Sequence, residues 1–198
     1  MTDLIGIVAC GGLSSRMGKD KSMLNYHGKQ QRYFMYEMLE PLCEKVFLSC
    51  NNEQAAWITP QYNAIVDNEK YTGIGPMVSV LSAFEKFPFA ALLVVGCDYP
   101  FITKEHLQQL VANRSGLDDA VFFCHPETYV NEPLLTIYEK NSYPKLLENF
   151  SQKKYSLRHF LSEANSCSVL PSSGDFLKSV DDEEAFLKAR EIISAQLN

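Results

Sequence analysis

The chain reads as a single-domain α/β protein built on a doubly wound, mostly parallel sheet. Three observations lead there. Strand-like apolar runs alternate with helix-like segments along its 198 residues. Runs such as Ala90 to Val95 are apolar throughout, as strands covered on both faces are. The first run opens into a loop of about twenty residues, a length usually found in functional or disordered segments. The length supports one sizeable core, so one domain is expected over 1–198.

In chain order, the first strand is the apolar run Leu4 to Cys10, which stops abruptly at Gly11-Gly12. The next helical pattern begins near Arg32 and gives a helix over 31–42. Strands over 45–50 and 63–66 run into Asn51-Asn52 and Asp67. Pro76 suits a first helical turn and opens a helix over 76–86. The continuous run 90–97 makes a strand that ends at Asp98. Thr103 and Ser156 are N-cap residues for helices over 103–113 and 156–164. Strands over 119–125 and 132–138 and a helix over 142–150 lie between them, and a strand over 167–171 follows. Asp181, with Glu184 three residues on, has the form of a capping box for a helix over 182–196. Acids at a helix start favour its macrodipole, so that run is read as a terminus without chemistry.

The loop GGLSSRMGKDK reads as a phosphate grip. Adjacent glycines let backbone N–H groups approach an anion, while Arg16, Lys19 and Lys21 supply charge those dipoles lack. Two familiar phosphate loops do not fit. A Walker A loop would need a first glycine where Leu13 stands and a hydroxyl where Asp20 stands. A dinucleotide fingerprint would need GxGxxG running straight into a helix, but these glycines are adjacent and the helix is far off.

A net charge of −6 argues against a general nucleic-acid binder. The seven-residue run at the N-terminus is too short for a signal core with a cleavage site or for a membrane span, which predicts a cytoplasmic protein with no membrane partner. The six cysteines form no CxxC pair and read as buried small hydrophobes in a reducing compartment. The four histidines have no ligand spacing between them.

In doubly wound sheets ligands sit outside the carboxyl ends of the strands, where strand order reverses. That rule brings the glycine loop, Asn51-Asn52, Asp67 and Asp98 to one crevice edge. Lys21 and Arg16 there would neutralise a nucleoside triphosphate, Gly11 and Gly12 would approach its phosphates or base, and Asp98 would hold Mg²⁺ directly or through water. Taken singly, Asp98, Asn51-Asn52 and Asp67 also read as turn or cap residues. Only the ordered set points to a site.

The loop, followed by Met23-Leu24 and Gly28-Lys29, resembles the signature of the MobA-like nucleotidyltransferases, LAGGxSxRMGxDKxLL and then a Gly-Lys pair. Cys10 stands for the usual alanine and Gln30-Gln31 for Pro-Leu. Ile65-Val66-Asp67, Gly75 to Ser79 and AALLVVGCDYP resemble further family segments, the last matching a strand that ends in PCDxP. Asn131 to Leu134 resembles an HEPL-type segment. Residues 180–184 occupy the place of an NVNTPED element, with Ser179 and Asp181 where asparagines are expected.

The resemblance implies a Rossmann-like nucleotide-diphospho transferase fold with a nucleotide half over about 1–100 and an acceptor half over about 101–198. It implies transfer of GMP from GTP to the phosphate of molybdopterin, with pyrophosphate released and Mg²⁺ as cofactor. Arg16, Lys21 and Asp98 are the implied catalytic residues. Ala9, Cys10, Gly11, Gly12, Lys21, Asn51, Asp67 and Asp98 are the implied nucleotide contacts, with Asp98 on the metal. On the acceptor side Asn131, Lys153 and Arg158 are candidates. Lys153, Lys154 and Arg158 either receive the pterin phosphate or face solvent as an ordinary charge run, while His125 and Tyr129 would line the second pocket. GTP, molybdopterin or the molybdenum cofactor, and transiently molybdoenzyme apoproteins, are the implied partners. Three rival readings stay open: CMP or GMP transfer to another phosphate acceptor, a catalytically silent nucleotide-binding module, and a carrier that delivers the cofactor to an apoenzyme.

Overall fold

The computed structural model describes residues 3–11 and 20–196. Seven strands, β1 (Leu4–Ala9), β2 (Lys45–Cys50), β3 (Ala64–Val66), β4 (Ala91–Gly96), β5 (Ala120–Cys124), β6 (Asn131–Tyr138) and β7 (Ser166–Val169), form one sheet in the order β3-β2-β1-β4-β6-β5-β7. The doubly wound, mostly parallel sheet expected from the sequence is present. β1 lies at its heart, parallel to both neighbours, with Ile7 opposite Phe47 in β2 and Val94 in β4.

β6 runs antiparallel to both β4 and β5. The reason is chain length. Only residues 125–130 join β5 to β6, enough for a hairpin and far too few for a crossover.

The helices are α1 (Gln31–Leu39), α2 (Asn52–Ala55), α3 (Met77–Lys86), α4 (Lys104–Ala112), α5 (Ser142–Ser151), α6 (Leu157–Glu163) and α7 (Glu183–Gln196). β4 shows why its run is apolar throughout. Leu93 and Val95 enter one core with Met35 and Leu39 of α1 and Leu107 and Leu110 of α4. Leu92 and Val94 enter the other, with Val80, Leu81 and Phe84 of α3 and Leu146 of α5. A third, smaller cluster joins Leu24 and Tyr26 to Val180, Ala189 and Ile193, so that α7 packs on the segment leading into α1. No helix among the described residues is long and apolar enough to cross a membrane.

Two caps fall where expected. Ser156 Oγ accepts from His159 N (3.2 Å), and Thr103 precedes α4 with its own N–H donating to His106 Nδ1 (3.2 Å). The start of α7 corrects the sequence reading. Asp182, not Asp181, caps it, with Asp182 Oδ1 accepting from Ala185 N (2.8 Å). Asp181 is thereby released for another role.

Candidate active site

The order reversal falls between β1 and β4, since β2 and β3 extend the sheet to one side of β1 and β4 to the other. The carboxyl ends of these strands carry the site candidates. Gly12 and Arg16 lie outside the described residues, as do Ser14, Gly18 and Lys19. The others are in view.

Ala9 closes β1, paired with Ser49 and Gly96. Cys10 continues it, donating its backbone N–H to Ser49 O (2.9 Å). Its Sγ lies 3.9 Å from that of Cys97. The Cys97 contact, and next burial, hold the Cys10 thiol well above its ordinary range. It stays neutral, so the cysteine brings no negative charge to this edge.

Beside it, Asp67 follows β3 with its N–H on Cys50 O (2.8 Å), and Ser49 Oγ donates to its Oδ1 (2.7 Å). Burial pushes the Asp67 carboxyl up, and the serine bond pulls it back. Gly11 presents its bare face here, because a Cβ on it would stand 3.4 Å from Asp67 Oδ2. Asn51 caps α2, its Oδ1 accepting from Gln54 N (2.8 Å). That leaves its Nδ2 as the group to offer a ligand. An open depression of about 550 Å³ lies alongside, lined by Asn51, Asn52, Glu53, Glu69 and Thr72.

On the other side of the reversal, Asp98 follows β4. Its Oδ1 is buried and has no hydrogen-bond partner among the described residues. Burial raises its carboxyl above the ordinary range. Its own backbone N–H and the Lys21 ammonium pull it down, and Asp181 pushes it up again. Lys21 donates to Asp181 Oδ1, and Val180 N donates to Asp98 O (2.9 Å), fastening the segment before α7 across the end of β4. One cation and two carboxylates thus meet at this edge.

Gly96 makes room for them. A Cβ there would fall 2.5 Å from Asp98 Oδ1 and 3.2 Å from both Leu134 Cβ and Tyr99 Cε2. Gly96→Ala is therefore expected to cost about 1–3 kcal/mol, the range for overpacking, read as a lowered midpoint in urea unfolding. An unchanged midpoint would mean that this corner yields without cost.

The acceptor-side candidates separate. Arg158 Nε donates to Asn131 O (3.0 Å), and Asn131 Nδ2 to Ser162 Oγ (3.2 Å). The neighbouring Glu132 accepts from the Tyr99 hydroxyl (2.8 Å), linking this group to Asp98 through the next residue. Lys153 instead occupies a left-handed turn (φ 60°) that ends α5, its N–H on Phe150 O (3.0 Å). His125 Nδ1 accepts from Glu127 N and Thr128 N, both at 3.3 Å, and organises the turn that holds Tyr129 at φ 55°.

Residues 6–167 match the model of the MobA-like NTP transferase domain. The chain belongs to that family. The MobA-like transferase is 35% identical over 125 residues to the molybdenum cofactor biosynthesis bifunctional protein of Synechocystis sp., a match covering 63% of this chain but only 35% of that relative's length. It is 25% identical to a protein of Bacillus cereus strain AH187 named "probable molybdenum cofactor guanylyltransferase", over 98% of this chain and 99% of that one. The crystal structure of molybdopterin-guanine dinucleotide biosynthesis protein A from Archaeoglobus fulgidus shares the fold, with a TM-score of 0.79 at 22% identity over 96% of this chain and 99% of that one.

Three members of the transferase's edge escape a reading of its sequence. Asp181 looks like a helix terminus because its partner lies 160 positions away. Gln54 carries no motif. Arg32, almost fully buried at the start of α1, looks like an ordinary helical cation. Its guanidinium donates to Trp57 O and Gln30 Oε1, both at 3.0 Å, and lies close enough to lower the Cys10 and Cys50 thiols against the effect of their burial.

Proposed function

We propose that this transferase moves GMP from GTP to the phosphate of molybdopterin, releasing pyrophosphate and giving a guanine dinucleotide form of the cofactor. The observation that carries the reading is the meeting of Lys21, Asp98 and Asp181 at the end of β4, across the order reversal from Gly11 and Asp67. The names of the relatives supply the choice of nucleotide and acceptor.

The chemistry follows from charge. A phosphate oxygen of the acceptor attacks the GTP α-phosphorus, a new P–O bond forms, and the bond to the β-phosphate oxygen breaks as pyrophosphate leaves. A phosphate monoester has a second pKa near ~6, so the nucleophile is already largely dianionic at neutral pH and needs no protein base. Catalysis then rests on positioning and charge stabilisation.

Lys21, with Arg16, neutralises the triphosphate. Asp67 Oδ2 accepts from the guanine edge while Ser49 occupies Oδ1, and Asn51 offers its Nδ2. Ala9, Cys10 and Gly11 form the backbone floor under the nucleotide, and Gly12, outside the described residues, is assigned to the same contacts. No three metal-ligating side chains cluster among the described residues. Mg²⁺ shared with phosphates needs only one or two carboxylates, and an orphaned buried Asp98 oxygen beside Asp181 fits that demand. Bound there, Mg²⁺ would supply charge neutralisation for the phosphates. Asn131, Arg158 and Lys153 are the residues assigned to the acceptor, the first two already joined to each other. Residues 1–100 accordingly take most of the nucleotide and 101–198 most of the acceptor, with Asp181 returning to the nucleotide.

The deciding assay is pyrophosphate release with GTP, CTP and ATP in parallel, using Mg²⁺ and molybdopterin prepared without oxygen. Release is expected with GTP and only with the pterin present. Release with CTP would keep the mechanism and move the base assignment. Release with none, despite GTP binding, would favour another acceptor or a silent binding module.

A further inference from the structure

We infer that Gln54 is a positioning residue that fixes the two ends of the glycine loop relative to each other and thereby places Lys21. The inference deepens the guanylyl-transfer reading and rests on it.

The loop leaves the sheet at Cys10 and returns at Asp20. Gln54 Nε2 donates to both ends, to Cys10 O at 3.1 Å and to Asp20 Oδ2 at 2.8 Å. A carboxamide nitrogen carries two hydrogens, and here each meets a group that only accepts, so the orientation of the amide follows from its partners. The other amide atom is used as well, with Gln54 Oε1 accepting from Asn51 N (3.1 Å). The backbone N–H of Gln54 closes the box on Asn51 Oδ1 (2.8 Å). One side chain therefore joins the end of β1, the returning loop and the turn after β2.

The consequence reaches Lys21 in one step. Asp20 Oδ1 accepts from Ser22 N (2.9 Å) and caps the short 3₁₀ turn Lys21–Met23. The carboxylate of Asp20 thus carries Gln54 on one oxygen and the lysine's own turn on the other. A hydrogen bond to a charged acceptor is among the stronger kinds, and misplacement of a catalytic cation by about 1 Å costs up to ~10²-fold in rate.

Two substitutions separate this role from helix capping. Gln54→Glu keeps an oxygen for Asn51 N, so the cap on α2 survives, but it sets oxygen against the Cys10 carbonyl and the Asp20 carboxylate. Adding Asp20→Asn to Gln54→Glu restores the contact between positions 20 and 54 with donor and acceptor reversed, leaving only the contact to Cys10 O broken. We expect Gln54→Glu to lower kcat at least ~10-fold, with the KM for the pterin within twofold of wild type. The double variant should recover at least threefold over the single one, with all three proteins folded by circular dichroism at the assay temperature. Gln54→Glu at the wild-type rate, or a double variant no faster than the single, overturns the assignment.

Wild type is measured alongside, with GTP, CTP and ATP. Failure to use GTP tells against the guanylyl reading alone, and the variants are then compared on the nucleotide that wild type does use. If it turns over none, calorimetric affinity for GTP with Mg²⁺ is the readout. At least tenfold weaker binding by Gln54→Glu is then expected, and equal binding overturns the inference.

Discussion

Asp98→Asn should leave a protein that is better folded and almost inactive. The expected loss of turnover is at least ~10²-fold, the scale of removing one electrostatic stabiliser from a preorganised site. The gain in stability has a different origin. Asp98 Oδ1 is buried without a donor among the described residues, and burial holds the carboxyl above its ordinary value of 3.8. A group whose folded pKa is raised contributes stability that is full below the unfolded value, where both states are protonated. That stability is lost as pH rises through the folded value. At neutral pH wild type therefore carries a penalty that asparagine, uncharged throughout, does not. The melting temperature of the variant should exceed that of wild type at neutral pH, and the difference should shrink on acidification towards 3.8. Calorimetry across that range reads it directly. A variant less stable than wild type at neutral pH would refute the account of burial, and near-normal turnover would remove Asp98 from the mechanism.

Lys21→Ala is expected to show the opposite balance, with little change in stability and a loss of turnover of at least ~10²-fold. The ion pair with Asp181 is partly open to water, with side-chain exposures of 23% and 54%. Pairs of that kind contribute about 0–1 kcal/mol, so the fold should barely register the change. The electrostatics of the edge should register it strongly. The Lys21 ammonium lowers the Asp98 carboxyl while Asp181 raises it, so removing the cation leaves only the upward influences of burial and Asp181 against the local backbone bond. The acid limb of the pH–rate profile should move to higher pH. Wild-type kcat in Lys21→Ala, or an unmoved acid limb, would separate the lysine from the reacting phosphates.

The frame of the molecule was legible because its strands are continuous apolar runs, and a strand such as β4, buried on both faces, has no other way to be written. Direction was less legible. β6 differs from its neighbours through the shortness of the 125–130 connection, which hydropathy does not register. Single turns, namely α2 and the 3₁₀ turns at 21–23, 69–71 and 175–177, are too short to show a period. Within the site, residues following a strand end could be found, since topology alone sends Asp67 and Asp98 to the same edge. Asp181 and Gln54 could not, because what defines them is a partner far away in sequence. The acidic run at 181–184 illustrates the point: its second residue caps the helix, and its first leaves the helix to meet Lys21.

The contact between Lys21 and Asp181 also sets an order of events during synthesis. A ribosome adding about 5–20 residues per second releases β1, β2 and β4 long before residue 181. The nascent chain at that stage has the strands around the order reversal but neither the carboxylate that holds Lys21 nor the α7 surface that covers Leu24 and Tyr26. The edge of β4 is therefore completed only as the last helix arrives, and a chain interrupted before it has a finished sheet with that edge left open.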